Sequence, residues 1–338
     1  VCANSHAQPR TFTDDAGRKV TLPTKVERVY AAGPPASVLV MAIAPEKLLG
    51  WTRALKPEEA AFLAPRLSAL PELGRLTGRG NTANVEVVLK AKPDLIIDIG
   101  SVNANFASLA DRVTEETKIP YVLLDGRLDT LPQQIEKLSV LLGERERAKP
   151  LLAYVNASFA DLKSRVAKIP LEKRPEVYYA RGANGLTTGL PGSINVEMLE
   201  FLGARHALSA TGATVGPGQA NIAQVGFEQV VLANPSLIIT NDPTFAREVW
   251  TRAEWQSIRA VRAKRVYLSP HLPFGWFDFP PGANRLIGLK WLANLLYPET
   301  FQFDLAKEIE TVYTLLYQQK PTRDQIARIL AEPNVLPK

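Results

Sequence analysis

Short apolar runs recur along this chain, separated by longer stretches whose apolar residues fall three or four apart. "PDLIIDIG" (93–100), "YVLLD" (121–125), "EVYYA" (176–180), "SLIIT" (236–240) and "RVYLS" (265–269) have the length and side-chain type of strands buried on both faces. Arg28 to Ala32 and "KLLGW" (47–51) read the same way, after an extended lead-in, "TFTDDAGRKVTLP" (11–23). Helical spacing runs through "NVEVVLKA" (84–91), "FASLADRVTEET" (106–117), "LPQQIEKLSVLLG" (131–143), "SINVEMLEFLG" (193–203), "FEQVVLA" (227–233) and "PTFAREVW" (243–250). Gly33, Pro34 and Pro35 open a further helix over "ASVLVMAIA", because proline costs little in a first turn that has no use for its missing N–H. Strand and helix alternate, and that order predicts an α/β fold with mainly parallel sheets covered by helices.

One helix-to-strand passage is spelled twice. "NVEVVLKAKPDLIIDIG" (84–100) returns as "GFEQVVLANPSLIITND" (226–242), with Glu86 matching Glu228, Pro93 matching Pro235 and both "LII" triplets in step. "VERVYAAG" (26–33) likewise resembles "PEVYYARG" (175–182). A period this long is no solenoid repeat. It predicts two βα lobes of one architecture facing each other across a cleft.

Residues 144–168 are helical in composition over most of their length and, if continuous, span about 37 Å; Pro150 either starts that helix or kinks it. The predicted organisation is therefore a leader at 1–10, a first lobe at 11–143, a linker helix at 144–170 and a second lobe at 171–285. Helices at 286–338 pack on the lobes.

Composition narrows the class. Of 338 residues, 46% are hydrophobic and 22% charged, the profile of a soluble globular chain. The apolar run at residues 36–44 is far short of a membrane span. Ser5 and Ala7 before a polar sequel resemble the end of a secretory signal, with cleavage expected after Ala7. Cys2 is the only cysteine, so no internal disulfide forms; as a mature first residue it would instead be a lipid-attachment candidate. A net charge of +6 favours anionic ligands, but the basic residues are scattered and no nucleic-acid motif is present. Phosphate-loop, nucleophile-elbow and zinc-protease motifs are absent as well. With three histidines, His6, His206 and His271, a bare zinc or manganese site has few ligands to draw on.

The passages "RKVTLPTKVERVYAAGPP", "NVEVVLKAKPDLIID" and "GFEQVVLANPSLIIT" resemble the rigid class of substrate-binding proteins of ABC importers, over roughly residues 11–300. This class carries iron chelates, haem and cobalamin. The tail "PHLPFGWFDFPPGANRLIGLKWLANLLYP" is similar to a branch that includes iron-complex binders and molybdate or tungstate binders. The resemblance implies a monomeric periplasmic binder, no enzyme and without a cofactor of its own, which delivers its cargo to a permease dimer and its ATPase. An anionic metal chelate of ferric siderophore type is the first expectation for that cargo and a molybdate or tungstate oxyanion the alternative, with haem or cobalamin behind them. An enzyme or sensor module on the same scaffold is the rival class. The resemblance also places permease-docking carboxylates at Glu86 and Glu228, each alternatively an ordinary first-turn acid favoured by its helix dipole.

Ligands of α/β sheets collect at the loops that follow the strands. Those loops offer Gly33, Pro34, Pro35, Trp51, Arg79, Arg181, Asn184 and Asp242. Arg79 and Arg181 are the expected anion contacts, one from each lobe, each otherwise a structural or surface cation. "HLPFGWFDF" adds His271, Phe274, Trp276 and Phe277, either as a wall against a large chelate or as a plug beneath the tail helices. Arg285 is a third cationic candidate, or an anchor for the tail.

Overall fold

A computed structural model describes residues 10–78, 84–211 and 222–333. Within it the repeated passage builds the same object twice. The helices Val85–Ala91 and Phe227–Ala233 each end at a residue in the left-handed region, Lys92 at φ 48° and Asn234 at φ 39°. Pro93 and Pro235 follow. A left-handed cap satisfies the last carbonyls and a proline just after it cannot continue the helix, so the shared letters encode a helix stop. Each chain copy then enters a strand.

The first lobe contains a hairpin of β1 (Arg10–Thr13) and β2 (Lys19–Leu22), then β3 (Val29–Ala31), β4 (Leu95–Gly100) and β5 (Tyr121–Asp125). The last three form a parallel sheet in the order β3-β4-β5. The second half supplies β6 (Glu176–Ala180), β7 (Thr187–Gly189), β8 (Arg205–His206), β9 (Ile222–Gln224), β10 (Leu237–Thr240) and β11 (Val266–Leu268). Four of these make a parallel sheet ordered β11-β10-β6-β8, and β7 pairs with β9 antiparallel. The two "LII" triplets therefore lie in different sheets.

Strand alternation divides each triplet between two layers. Leu95 and Ile97 of β4, with Leu237 and Ile239 of β10, belong to one continuous core that joins the lobes. Ile96 faces the other way, among Tyr30, Val88 and Tyr121, and Ile238 sits among Tyr178, Val230 and Trp255.

Two bridges connect the lobes. The helix Arg145–Val166, about 33 Å long, buries Leu151, Val155, Phe159 and Leu162 in the shared core. Pro150 lies inside this helix and does not start it. The helices Arg285–Leu296, Leu305–Tyr317 and Arg323–Ala331 then carry the tail back from the second lobe. Leu305–Tyr317 packs on the helix Pro34–Ile43, and the Gln318 side chain donates to the Ala42 carbonyl at 3.0 Å.

Three local expectations change. The extended lead-in is a hairpin because Asp14 accepts the N–H groups of Ala16 and Arg18 and closes the turn. "KLLGW" makes only isolated bridges, Leu48 to Val29 and Trp51 to Glu72, since the Trp51 N–H and carbonyl are taken by Pro71 and Leu73 of an irregular segment. The helix expected over 193–203 shrinks to Glu197–Phe201, because the Ser193 hydroxyl holds the preceding residues in a turn through Asn195. Among the described residues, no helix is long and apolar enough to cross a membrane.

Gly288 marks a tight joint of the tail: a methyl group there would lie 1.9 Å from the Trp276 carbonyl oxygen. Gly288→Ala is expected to lower stability by about 1–3 kcal/mol, read as a reduced urea midpoint with an unchanged slope.

Candidate functional site

The C-terminal ends of the strands open between the lobes on a cavity of about 880 Å³. In the first sheet the chain leaves β3, pairs Leu48 on one side of it, and later places β4 on the other. Such a reversal of strand order leaves a crevice at the strand ends, where ligands of parallel sheets bind. The second sheet has the same reversal between β6 and β10.

Gly33 follows β3 at this crevice. A Cβ there would come 2.7 Å from Thr77 Oγ1 and 3.4 Å from Asp98 Oδ1, so glycine is what lets the Thr77 loop close onto β4. The Thr77 hydroxyl donates to Asp98 Oδ1 at 2.9 Å and the Tyr121 hydroxyl donates to Oδ2 at 3.1 Å. Asp98 is the one acidic residue of an otherwise apolar strand and is 3% exposed. Burial pushes its carboxyl up to about 6, against the opposing pull of those two hydroxyl donors. The helix Pro34–Ile43 points its amino end at the cavity with no acidic residue in its first turn. Pro34 and Pro35 lack N–H groups, so this end contributes positive dipole more than hydrogen-bond donors.

Arg181 forms the opposite wall. Its backbone is fixed by reciprocal bonds with Thr187, at 2.7 and 3.3 Å. The residue is 8% exposed, with its guanidinium 4.5 Å from the Phe279 ring centroid and Nη2 3.7 Å from Asp278 Oδ2. That last separation is an ion pair without a hydrogen bond. Nη1 is buried and has no hydrogen-bond partner among the described residues. Asp278 is in turn held by Asn195 Nδ2, 3.2 Å from each oxygen, and by the Phe279 N–H at 2.9 Å. Trp51 and Phe274, with ring centroids 5.9 Å apart, give the cavity an apolar side. Arg53 also borders it but is spent on Glu59 through two bonds of 2.7 Å. A smaller cavity of about 270 Å³ shares Arg181 and Phe279 and extends to Gly182, Thr187, Asn241 and Asp242.

Gly33, Pro34, Pro35, Trp51, Arg181 and Phe274 of the expected residues thus meet at the large cavity, and Asp242 borders the small one. Others are elsewhere. Trp276 and Phe277 are fully buried under the tail helices, with Trp276 Nε1 donating to the Tyr313 hydroxyl, so they are plug and not wall. The exposed His271 ring pairs with Glu332 at 3.1 Å. Asn184 is exposed and accepts the Leu186 N–H. Arg285, 1% exposed, donates to the Ile194 carbonyl and faces Glu197 at 3.5 Å, which anchors the tail. Arg79 lies outside the described residues, as do Cys2 and His6. Glu86 and Glu228 stand exposed in the first turns of their helices. Thr77, Asp98, Asn195, Asp278 and Phe279 were missed from the sequence; a carboxylate inside "LIIDIG" was a visible signal, whereas the others come together only by tertiary contact.

A family model described as periplasmic binding protein matches residues 56–271. The chain belongs to the periplasmic binding protein family. Molybdate-binding protein MolA of Haemophilus influenzae is 28% identical to it over 94% of both chains. A solved ABC transporter solute binding protein from Sulfurospirillum deleyianum superposes with a TM-score of 0.83 at 29% identity, covering 95% of this chain and 99% of that one. MolA bound to molybdate superposes at 0.73 and 24% identity, over 93% and 99%, and shares the fold. The protein is thus a solute-binding component of the ABC-transporter type, a family of binders and not of enzymes.

Asp98 sets a pH signature. With a folded pKa near 6 against the ordinary carboxyl value of 3.8, it costs nothing below about 4, destabilises increasingly between about 4 and 6, and holds that cost above 6, because the unfolded chain ionises first. The difference in unfolding free energy between Asp98→Asn and the parent should therefore move in the variant's favour between pH 4 and pH 7, on the order of 2–3 kcal/mol. A pH-independent difference would show that Asp98 is not perturbed.

Proposed function

We infer that the cleft captures a metal oxyanion, molybdate or tungstate, and presents it unchanged to an ABC permease and its ATPase in the periplasm. The observation that carries this is the buried cation of Arg181 set across one cavity from the acid-free amino end of the helix Pro34–Ile43. A compact dianion is stabilised by converging positive charge and dipole in a place shielded from water, where such interactions are strongest. MolA, similar along nearly its whole length, is named for molybdate.

An anionic metal chelate of ferric siderophore type is the second reading. The cavity volume favours it, being far larger than a tetraoxo anion fills, as do the rings of Trp51, Phe106, Phe274 and Phe279 on its walls. Calorimetric titration with molybdate, tungstate, sulfate, a ferric catecholate and haemin separates the two. Molybdate and tungstate are expected to bind one to one, and Arg181→Ala to weaken them by about 1.5–3 kcal/mol. Binding of the ferric chelate without molybdate would favour the second reading instead.

For delivery we propose docking through Glu86 and Glu228. A helix that leads into a parallel strand runs antiparallel to it, so each first turn lies at the strand's carboxyl edge, where the cleft opens. One turn further on, Leu89 and Val231 occupy matching positions and are 46% and 45% exposed. Equivalent carboxylates and aliphatic side chains on both lobes suit a twofold membrane partner. Glu86→Lys with Glu228→Lys should abolish uptake in cells while leaving solute affinity intact; a loss of affinity would place these residues in the binding site.

A further inference from the structure

Tyr179 lies on β6 two residues before Arg181, so strand alternation turns both side chains to one side of the sheet, and the guanidinium sits 5.9 Å from the Tyr179 ring centroid. Tyr179 is fully buried, with its ring centroid 4.4 Å from that of Phe277, yet its hydroxyl makes no hydrogen bond among the described residues. The hydroxyl nevertheless lies in the field of Asp278: burial, and after it the charge of that carboxylate, hold its proton on well above the ordinary phenol range. A buried donor left unmade costs stability, so a phenol that gains nothing from its hydroxyl in the empty protein points to a partner acquired in another state. Asp278 has room to be that partner. Its Oδ1 accepts from Asn195 Nδ2 and the Phe279 N–H, whereas Oδ2 accepts from Asn195 Nδ2 and faces Arg181 Nη2 at 3.7 Å.

We propose that Tyr179 is a positioning residue for anion capture: when the Arg181 guanidinium turns from Asp278 to a bound oxyanion, the Tyr179 hydroxyl takes its place on Asp278 Oδ2. The inference rests on the oxyanion reading of the cleft. Both side-by-side donor pairs of a guanidinium, Nη1 with Nη2 and Nε with Nη2, include the nitrogen that faces Asp278, so a two-bond grip on an oxyanion draws on it. Asp278, 3% exposed, is then a buried carboxylate deprived of its cation, a costly state. The hydroxyl beside it supplies the replacement donor. At 3.7 Å the ion pair has no hydrogen bond to break, so the guanidinium is free to leave. Tyr179 itself touches no ligand.

Calorimetry with molybdate on the full chain tests this. Tyr179→Phe should keep the melting temperature of the empty protein and bind molybdate at least about tenfold more weakly, the worth of one hydrogen bond to a carboxylate. Asp278→Asn removes the charge that needs the donor, so in that background Tyr179→Phe should leave molybdate affinity unchanged. Saturating molybdate should also give the parent a red-shifted tyrosine band in its near-ultraviolet difference spectrum that Tyr179→Phe lacks, the mark of a phenol that has begun to donate to a carboxylate. That spectrum keeps the test open where Asp278→Asn fails to fold. Unchanged affinity in Tyr179→Phe, the same loss with and without the Asp278 carboxylate, or a lowered melting temperature of the empty variant would each overturn the proposal. A parent protein that binds no molybdate would overturn the oxyanion reading and this inference with it, whereas binding that ignores Tyr179 leaves that reading standing.

Discussion

Everything in this protein rests on one continuous apolar core that runs through both lobes. Leu95 and Ile97 from one sheet, Leu237 and Ile239 from the other, Phe159 of the linker helix and Trp276 and Tyr313 of the tail all belong to it. Burying each large side chain contributes roughly 1.5–3 kcal/mol, and close packing makes their mutual placement hard to alter. The consequence is positional. The two sets of strand ends are held at a set separation, and the gap between them is the cleft. Large closure would bend the linker helix against its own hydrogen bonds and shear the tail from the first lobe, so small movements are favoured.

On this frame the electrostatics of the cleft are asymmetric. The second lobe presents a cation, Arg181, whose carboxylate partner Asp278 is close enough to balance charge but too far to consume a donor. Asn195 and the Phe279 N–H hold Asp278 in that position, leaving the guanidinium available. The first lobe presents a helix dipole and a carboxyl, Asp98, whose two oxygens are each covered by a hydroxyl. Burial disfavours the charge on that carboxyl, and the two hydroxyl donors offset part of the penalty.

Duplication explains why a crevice recurs at corresponding places in the two lobes. Each sheet reverses its strand order beside its first long strand, and each reversal leaves a crevice. In the first lobe that crevice merges with the interlobe space; in the second, Arg181 and Phe279 separate a smaller chamber from it.

Much of the architecture was legible in the amino-acid order alone. Apolar run length distinguished strands from helices, the doubled passage announced two lobes, and Pro93 and Pro235 marked both helix ends, because these features depend on local backbone chemistry. Gly33 and Arg181 were also readable, since residues just after buried strands must lie at a sheet edge. The tertiary structure decided the rest. "HLPFGWFDF" splits between wall and plug: Phe274 faces the cavity, whereas Trp276 and Phe277 do not, a matter of which tail helix lands on them. Asp98, Thr77 and Tyr121 meet from three separate segments, and Arg181, Asn195 and Asp278 from three others. Local sequence specifies which elements form and where they stop; which side chains converge depends on how those elements pack, and packing is set by contacts between residues far apart in the chain.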